Sequence, residues 1–329
     1  MSVPYSRTLL GVIPWYSLLI TLGAGLAILL ADREARRQGL PEGLAVDLAL
    51  AVIPSGIVGA RIYYVVFSWA DFQQDPLSVF RIWEGGLAIY GGLIAGILAV
   101  LLFCRRRRLS LLTVLDLLSP GVALAQALGR WGNYFNQEAY GPEILNPAFQ
   151  FFPFGVQIAQ RGTLVWHAAT FFYASVLDAA LFCFLLWGRR RLFRGRGEVF
   201  GCYAFCYAAG RMVLENLRAD SLHLTSRVRV SQLFSLMICF CVLLMLVTRI
   251  RKEKGKASCG LWGLLPIIPG VPALLYCCGW RHAALETLPN QMALLVIFSS
   301  CALFSAWMLF RCAGWNSKSF PCQNNGKTL

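Results

Sequence analysis

Apolar residues run along this chain in blocks close to the roughly 20 residues that cross a bilayer as a helix, separated by short polar segments. Nine blocks qualify: Gly11 to Ala31, Leu44 to Phe67, Gly85 to Phe103, Leu109 to Leu128, Trp166 to Trp187, Val199 to Leu217, Val230 to Val247, Leu261 to Cys278 and Met292 to Phe310. The eighth holds Pro266, Pro269 and Pro272, which kink a span or make it re-entrant. The sixth is apolar only from Val199 to Gly210 before it meets Arg211 and Glu215, so it needs a buried partner or a wet cavity. No internal repeat stands out, and no polar stretch is long enough for a separate soluble domain. The expectation is an all-α polytopic integral membrane protein whose termini lie on opposite sides.

Composition agrees: 57% of the 329 residues are hydrophobic, 14% are charged, and the mean hydropathy is +0.60. The net charge of +14 brings nucleic acid to mind, but twenty of the thirty Lys and Arg fall in five clusters that alternate with the spans. These are Arg33 to Arg37, Arg105 to Arg108, Arg189 to Arg196, Arg249 to Lys256 and the tail, all on one face of the nine-span arrangement. The positive-inside rule makes that face cytoplasmic and removes the need for a nucleic-acid partner. The N-terminus and the 142–165 loop are then outside. With only Arg7 before its apolar run and three arginines after it, the first block is expected to be a retained helix rather than a cleaved signal. Most of the twelve cysteines lie within apolar runs and no C-x-x-C pair occurs, so they read as small packing residues.

Chemistry concentrates in Gly129-Arg130-Trp131-Gly132-Asn133-Tyr134-Phe135-Asn136-Gln137-Glu138-Ala139-Tyr140-Gly141, directly after the apolar run that ends at Leu128. Polar groups at a membrane-helix end need partners or water, so the cluster reads as a site near the outer face. Two more arginines lie in or at the outer ends of spans, Arg61 and Arg211. In the sixth block Tyr207, Arg211, Glu215 and Arg218 are spaced by four, four and three and share a helix face. Nearby acids are few: Glu138, Glu143, Glu215 and Asp220, with Asp47, Asp116 and Asp178 nearer the cytoplasmic half. Two readings follow. The arginines pair internally, Arg211 with Glu215 and Arg130 with Glu138, or the surplus guanidinium meets an anion such as a phosphate head group. The run Gly85-Gly86-Leu87-Ala88-Ile89-Tyr90-Gly91-Gly92 serves either close helix packing or close approach of a ligand to Tyr90. No H-x-x-x-H pair, G-x-S-x-G elbow or phosphate-binding loop occurs, and His167 reads as an interfacial side chain. A nucleophile, if the protein is an enzyme, belongs to its substrate.

The central stretch resembles the signature of the prolipoprotein diacylglyceryl transferase family, G-R-x-G-N-[FY]-x-N-x-E-x-x-G, filled here by Gly129, Arg130, Gly132, Asn133, Tyr134, Asn136, Glu138 and Gly141. Gly59 to Tyr64, the Gly85 to Gly96 glycines, Tyr207, Gly210, Arg211, Glu215, Arg218, Asp220 and Ser231-Gln232 follow the same family order. The resemblance spans about residues 10 to 250. Many members carry a histidine, proposed as a base, where Tyr90 aligns, and the tyrosine version looks like a Gram-positive variant.

The resemblance implies a seven-helix core, a transferase domain over 1–250, and a C-terminal extension over 251–329 carrying the last two candidate spans. It implies a multi-pass enzyme of the bacterial cytoplasmic membrane that moves the diacylglyceryl group of phosphatidylglycerol onto the lipobox cysteine of a prolipoprotein, releasing glycerol phosphate. Its partners are then phosphatidylglycerol, prolipoprotein signal peptides and the bilayer, with no cofactor and no metal. On this resemblance Arg130 and Arg211 hold the phosphate, with Arg61 as a further phosphate contact. Asn133, Asn136 and Glu138 orient the head group, Gly141, Glu215 and Arg218 complete the lipid site, and Tyr90 and Tyr207 are the candidates for meeting the thiol proton. A rival reading, a transporter or flippase for an anionic lipid or solute, uses the same arginines as a transit site, but paired broken helices in inverted repeats are lacking.

Overall fold

The computed structural model describes residues 6–160, 162–193, 195–218, 223–225, 228–254 and 296. Seven long helices occur among them: α1 (Trp15–Arg37), α2 (Leu44–Phe67), α3 (Ile89–Arg106), α4 (Leu111–Asn136), α5 (Thr170–Arg191), α6 (Glu198–Leu214) and α7 (Val230–Lys254). Helices α1 to α5 are long and apolar enough to cross a membrane, and the chain is a helical, multi-pass membrane protein. Short strands join them in three antiparallel pairs: β1 (Thr8–Leu9) with β2 (Ile13–Pro14), β3 (Gly155–Gln160) with β4 (Thr163–Ala168), and β5 (His223–Thr225) with β6 (Val228–Arg229). Apart from Val296, the eighth and ninth expected spans lie outside the described residues.

Three boundaries differ from the hydropathy pattern, each for a local reason. Helix α4 does not stop at Leu128 but carries the polar stretch to Asn136, because nothing from Gly129 to Asn136 breaks a helix. It ends when Gln137 turns left-handed and the Gln137 and Glu138 amides donate to the Tyr134 and Asn133 carbonyls, a Schellman closure. Helix α3 starts at Ile89, since Gly85 and Gly86 take φ of 94° and 71°, outside helical space. Helix α5 starts at Thr170, because residues 163–168 pair with β3 instead.

The described residues within 6–139 and 143–203 form one compact unit, and those within 140–142 and 204–254 belong to another. In the first, α4 is the hub. It packs along α1 and α5, and α2 packs along α3. Lipid gives helices little hydrophobic reason to associate, so close van der Waals approach of small residues holds them. A Cβ built on Gly121 of α4 would lie 2.8 Å from the Ala27 Cα of α1. One on Gly59 of α2 would lie 2.2 Å from the Ala95 Cβ of α3, and one on Gly91 would lie 2.3 Å from the Gly59 carbonyl oxygen. Of the two uses open to the Tyr90-Gly91-Gly92 glycines, the structure displays helix packing.

At the arginine-rich ends, buried Ala31, Ala35, Leu44, Ala45 and Leu117 tie α1, α2 and α4, while Leu48, Cys104 and Val114 tie α2, α3 and α4. The Asp116 carboxylate of α4 accepts from the Gly197 and Phe200 amides at 2.5 and 2.8 Å, satisfying orphan donors at the start of α6. In the second unit, buried Gln232 at the start of α7 donates to the Met212 carbonyl at 3.1 Å and to Asn216 Oδ1 at 2.8 Å, closing the far end of α6.

The seam predicts a contrast between two neighbouring glycines. Gly91→Ala forces α2 and α3 apart at backbone atoms and is expected to cost about 1–3 kcal/mol of stability. Gly96→Ala meets only Val52 Cγ1, at 3.8 Å, and is expected to stay within about 0.5 kcal/mol of the parent. Thermal unfolding in detergent reads both, and equal midpoints for the two variants would contradict the close crossing.

Candidate functional site

The polar stretch of α4 is gripped on both sides. Toward α1, a Cβ on Gly132 would meet the Tyr16 ring at 2.5 Å, and Trp15 stacks on Phe135 with centroids 4.9 Å apart. Toward α5, Trp131 Nε1 donates to Ser175 Oγ at 3.1 Å, and that hydroxyl donates to the Ala127 carbonyl at 2.9 Å. Phe171 packs against both Trp131 and Tyr134. Large rings on two faces fix the rotation of α4 about its axis, and with it the direction of the polar face.

That face carries Gln126, Arg130 and Asn133, spaced by four and three. Arg130 Nε stands 3.6 Å from Asp178 Oδ2 on α5, with side-chain exposures of 18% and 8%. Gln126 Oε1 accepts from the Tyr203 hydroxyl of α6 at 2.9 Å. The internal pair considered for Arg130 was Glu138, but Glu138 is exposed and makes no ion pair among the described residues, because the left-handed turn at Gln137 carries it off the helix face. Asn133 and Asn136 are half-buried, and Gly141 is buried in the segment that follows.

The motif loop is docked as well as the helix. Gln137 Oε1 accepts from the Ala159 amide of β3 at 3.1 Å, the Thr170 hydroxyl donates to the Ala139 carbonyl, and the Ile144 amide donates to the Trp166 carbonyl at 2.8 Å. His167 lies buried in β4 with its Nε2 3.0 Å from Gln160 Nε2, so it belongs to the hairpin. Among the described residues no three of His, Cys, Asp and Glu cluster closely enough to hold a metal ion.

In the second unit, Arg211 and Glu215 form the i, i+4 pair their spacing offers, at 2.7 Å with side-chain exposures of 19% and 3%. Tyr207, one turn before, and Arg218, just past the 3-10 turn Glu215–Leu217, are half-buried.

Arg61 is occupied differently from the anion contact considered above. It is 7% exposed, and its five N–H donors all meet backbone carbonyls of the following loop. Nε reaches Val79 at 2.8 Å, Nη1 reaches Gly85 and Gly86 at 2.7 and 3.0 Å, and Nη2 reaches Ser78 and Arg81 at 2.6 and 3.3 Å. Its guanidinium also lies over Phe72, 5.1 Å from the centroid. A guanidinium has five donors, so none remains for a phosphate. Arg61 therefore staples the 72–86 segment, which leads into α3 and Tyr90. Tyr90 itself is 43% exposed, its ring 6.4 Å from that of Tyr63.

A sequence profile described as prolipoprotein diacylglyceryl transferase matches residues 7–248. The chain belongs to that family. Its relatives include proteins named phosphatidylglycerol–prolipoprotein diacylglyceryl transferase from Enterococcus faecalis, 42% identical over 245 residues, and from Limosilactobacillus reuteri, 41% identical over 246. The first alignment covers 74% of this chain and 88% of the relative, the second 73% and 88%. A Streptococcus suis relative of the same name is 39% identical over 245 residues, 74% of this chain and 90% of its own. The transferase profile takes in α1 to α6 and most of α7, and so both arginine segments.

Ser175 and Gln126, which meet the polar stretch of α4 or its neighbours, were not named from sequence, and Asp178, expected nearer the cytoplasmic half, stands beside Arg130 instead. Asp178, Ser175 and Gln126 sit in apolar runs, and only Gln126, one turn before Arg130, carried a usable signal. The Arg61 staple yields a test. Each charge-assisted bond to a carbonyl contributes about 1.5–3 kcal/mol, so Arg61→Gln is expected to speed amide exchange in residues 78–86 by at least about tenfold, equivalent to about 1.4 kcal/mol. Unchanged exchange there by mass spectrometry would refute the staple.

Proposed function

We propose that this chain transfers the diacylglyceryl group of phosphatidylglycerol to the thiol of the lipobox cysteine in prolipoproteins, forming a thioether and releasing glycerol phosphate. The observation that carries the reading is the family match, which spans nearly nine-tenths of each relative and includes both arginine segments. In the reaction the substrate sulfur bonds to the glyceryl carbon as the carbon–oxygen bond to phosphate breaks. The thiol proton leaves, and the phosphate oxygen gains the electron pair. The enzyme must therefore favour thiolate and stabilise charge on a leaving phosphate in a poorly solvated place.

Arg130 and Arg211 are assigned to that phosphate. A guanidinium stays charged at membrane depth and offers a planar fork to phosphate oxygens. Asp178 at Arg130 and Glu215 at Arg211 are positioning residues that hold each fork in one orientation. Asn133, Asn136 and Glu138 are assigned to the glycerol hydroxyls of the head group, with Gly141 and Arg218 completing the donor site. Tyr90 and Tyr207 hydrogen-bond the substrate thiol or take its proton. Arg61 acts on this site only by shaping the segment before Tyr90.

The same reading sets the frame in the cell. The protein lies in the bacterial cytoplasmic membrane with its N-terminus outside, its basic loops in the cytoplasm and the α4 motif near the outer face, where a secreted precursor arrives. Residues 1–250 form the transferase domain, and 251–329 a C-terminal extension that lies, beyond 254 and apart from Val296, outside the described residues.

The test is peptide mass after incubating purified protein in detergent with phosphatidylglycerol and a lipobox peptide. The parent is expected to add one diacylglyceryl group, and Arg130→Ala to lose at least about a hundredfold in rate, the usual cost of removing one charge-stabilising donor. Asp178→Asn is expected to lower kcat more than it raises KM and to be partly rescued by Asp178→Glu, as a positioning role requires. Tyr90→Phe distinguishes proton acceptance, which abolishes transfer, from hydrogen bonding, which leaves about a tenth or more. A folded parent that binds lipid but never modifies the peptide would overturn the proposal.

A further inference from the structure

Away from the motif, at the arginine-rich ends of α1 and α5, the two helices line a half-open cavity of about 440 Å³. Its apolar lining is Leu29 and Leu30 of α1 and Leu186 of α5. The rest of the lining carries five guanidiniums and two carboxylates, a surplus of three positive charges. The two carboxylates are already engaged: Asp32 holds Arg36 at 2.6 Å, and Glu34 holds Arg189 at 3.4 Å. Arg189 is also fixed by donating to the Asp116 carbonyl at 2.7 Å, and with 11% side-chain exposure it forms a rigid wall. The remaining three, Arg33, Arg37 and Arg190, are exposed and make no ion pair among the described residues.

Surface arginines at the cytoplasmic ends of spans need no ligand to explain them, because the positive-inside rule suffices. The cavity adds three things to that rule. Its surplus charge converges from two helices, Arg189 in its lining is held by Glu34 and by the Asp116 carbonyl, and leucines of both helices line it beside the charges. Helix C-termini are themselves weakly negative, so they favour the arginines and would repel an anion unless the guanidiniums outweigh them. A surplus of three does so. The volume lies in the range of small-ligand sites, and basic pockets between membrane helices on the cytoplasmic side suit acidic lipid head groups.

We infer that this cavity binds the phosphate of an anionic glycerophospholipid of the inner leaflet, with its acyl chains along Leu29, Leu30 and Leu186. The site is separate from the donor site of the α4 motif and involves none of its residues. It rests on the chain spanning the membrane with these ends inward, not on the transfer chemistry. Because Arg189 reaches α4 through Asp116, and Asp116 caps α6, an occupant braces the same end of three helices. Binding to the folded state alone then raises the unfolding midpoint.

The experiment measures that midpoint in neutral detergent while phosphatidic acid, phosphatidylcholine, glycerol phosphate or inorganic phosphate is titrated in. Phosphatidic acid is chosen because it carries the anionic phosphate without a glycerol head group. The parent is expected to be stabilised by phosphatidic acid and not by the other three. The variant Arg33→Gln/Arg37→Gln/Arg190→Gln should need at least about tenfold more lipid for the same rise. Leu186→Trp fills the cavity without changing charge and should lose the rise as well. Both variants are expected to transfer diacylglyceryl groups within about twofold of the parent, which reports an intact fold and donor site. Arg130→Ala should keep the full rise. Retention of the rise in both cavity variants, its loss in Arg130→Ala, or an equal rise with inorganic phosphate would each overturn the inference. A parent that shows the rise but no transfer would instead count against the transferase reading alone.

Discussion

A guanidinium inside a membrane has to bring its partners with it, and much of this structure follows from that requirement. Arg61, Arg130, Arg189 and Arg211 all lie within long apolar helices, and each is met by a carboxylate, by carbonyls or by both. The partners differ in kind, and the kind decides the role. Carbonyls saturate Arg61 completely, so it can only hold a loop. At Arg130 and Arg211 a carboxylate stands beside the guanidinium and holds it in one orientation.

Helix α4 is where these constraints meet. Its middle is made of small residues that let α1 approach to backbone contact, and its last turns carry aromatic rings that lock against α1 and α5. Its arginine-rich end caps α6 through Asp116. Packing, rotation and the direction of the polar face are thus set by one element. A polar stretch that hydropathy alone would leave as a loop is instead two further helical turns, because its neighbours shield it and its own side chains find partners.

Packing and charge also distinguish the surroundings of Arg130 from the arginine-rich ends of α1 and α5. At the α4 motif Arg130 pairs with Asp178, and aromatic rings pack about the same helical turns. At the ends of α1 and α5 the surplus is open and lies beside leucines, an arrangement suited to a lipid that stays whole.

The sequence by itself determined that the chain spans a membrane several times, since apolar length and clustered arginine need no tertiary knowledge. It also pointed to Arg130, Asn133, Asn136 and Glu138, because polar residues beside an apolar run demand an explanation, and to the Arg211–Glu215 pair, because i, i+4 neighbours on one helix meet wherever that helix lies. What only the tertiary structure decided was the choice of partner between elements. Asp178 rather than Glu138 stands beside Arg130, since a left-handed residue at Gln137 turns the chain away. Five carbonyls rather than an anion meet Arg61, since the loop after α2 folds back over it. Residues 163–168 form a strand rather than the start of α5, since β3 offers a ladder. Local pattern encodes contacts within a helix turn, whereas contacts between helices depend on how the helices are rotated, and rotation is set by packing that involves the whole bundle.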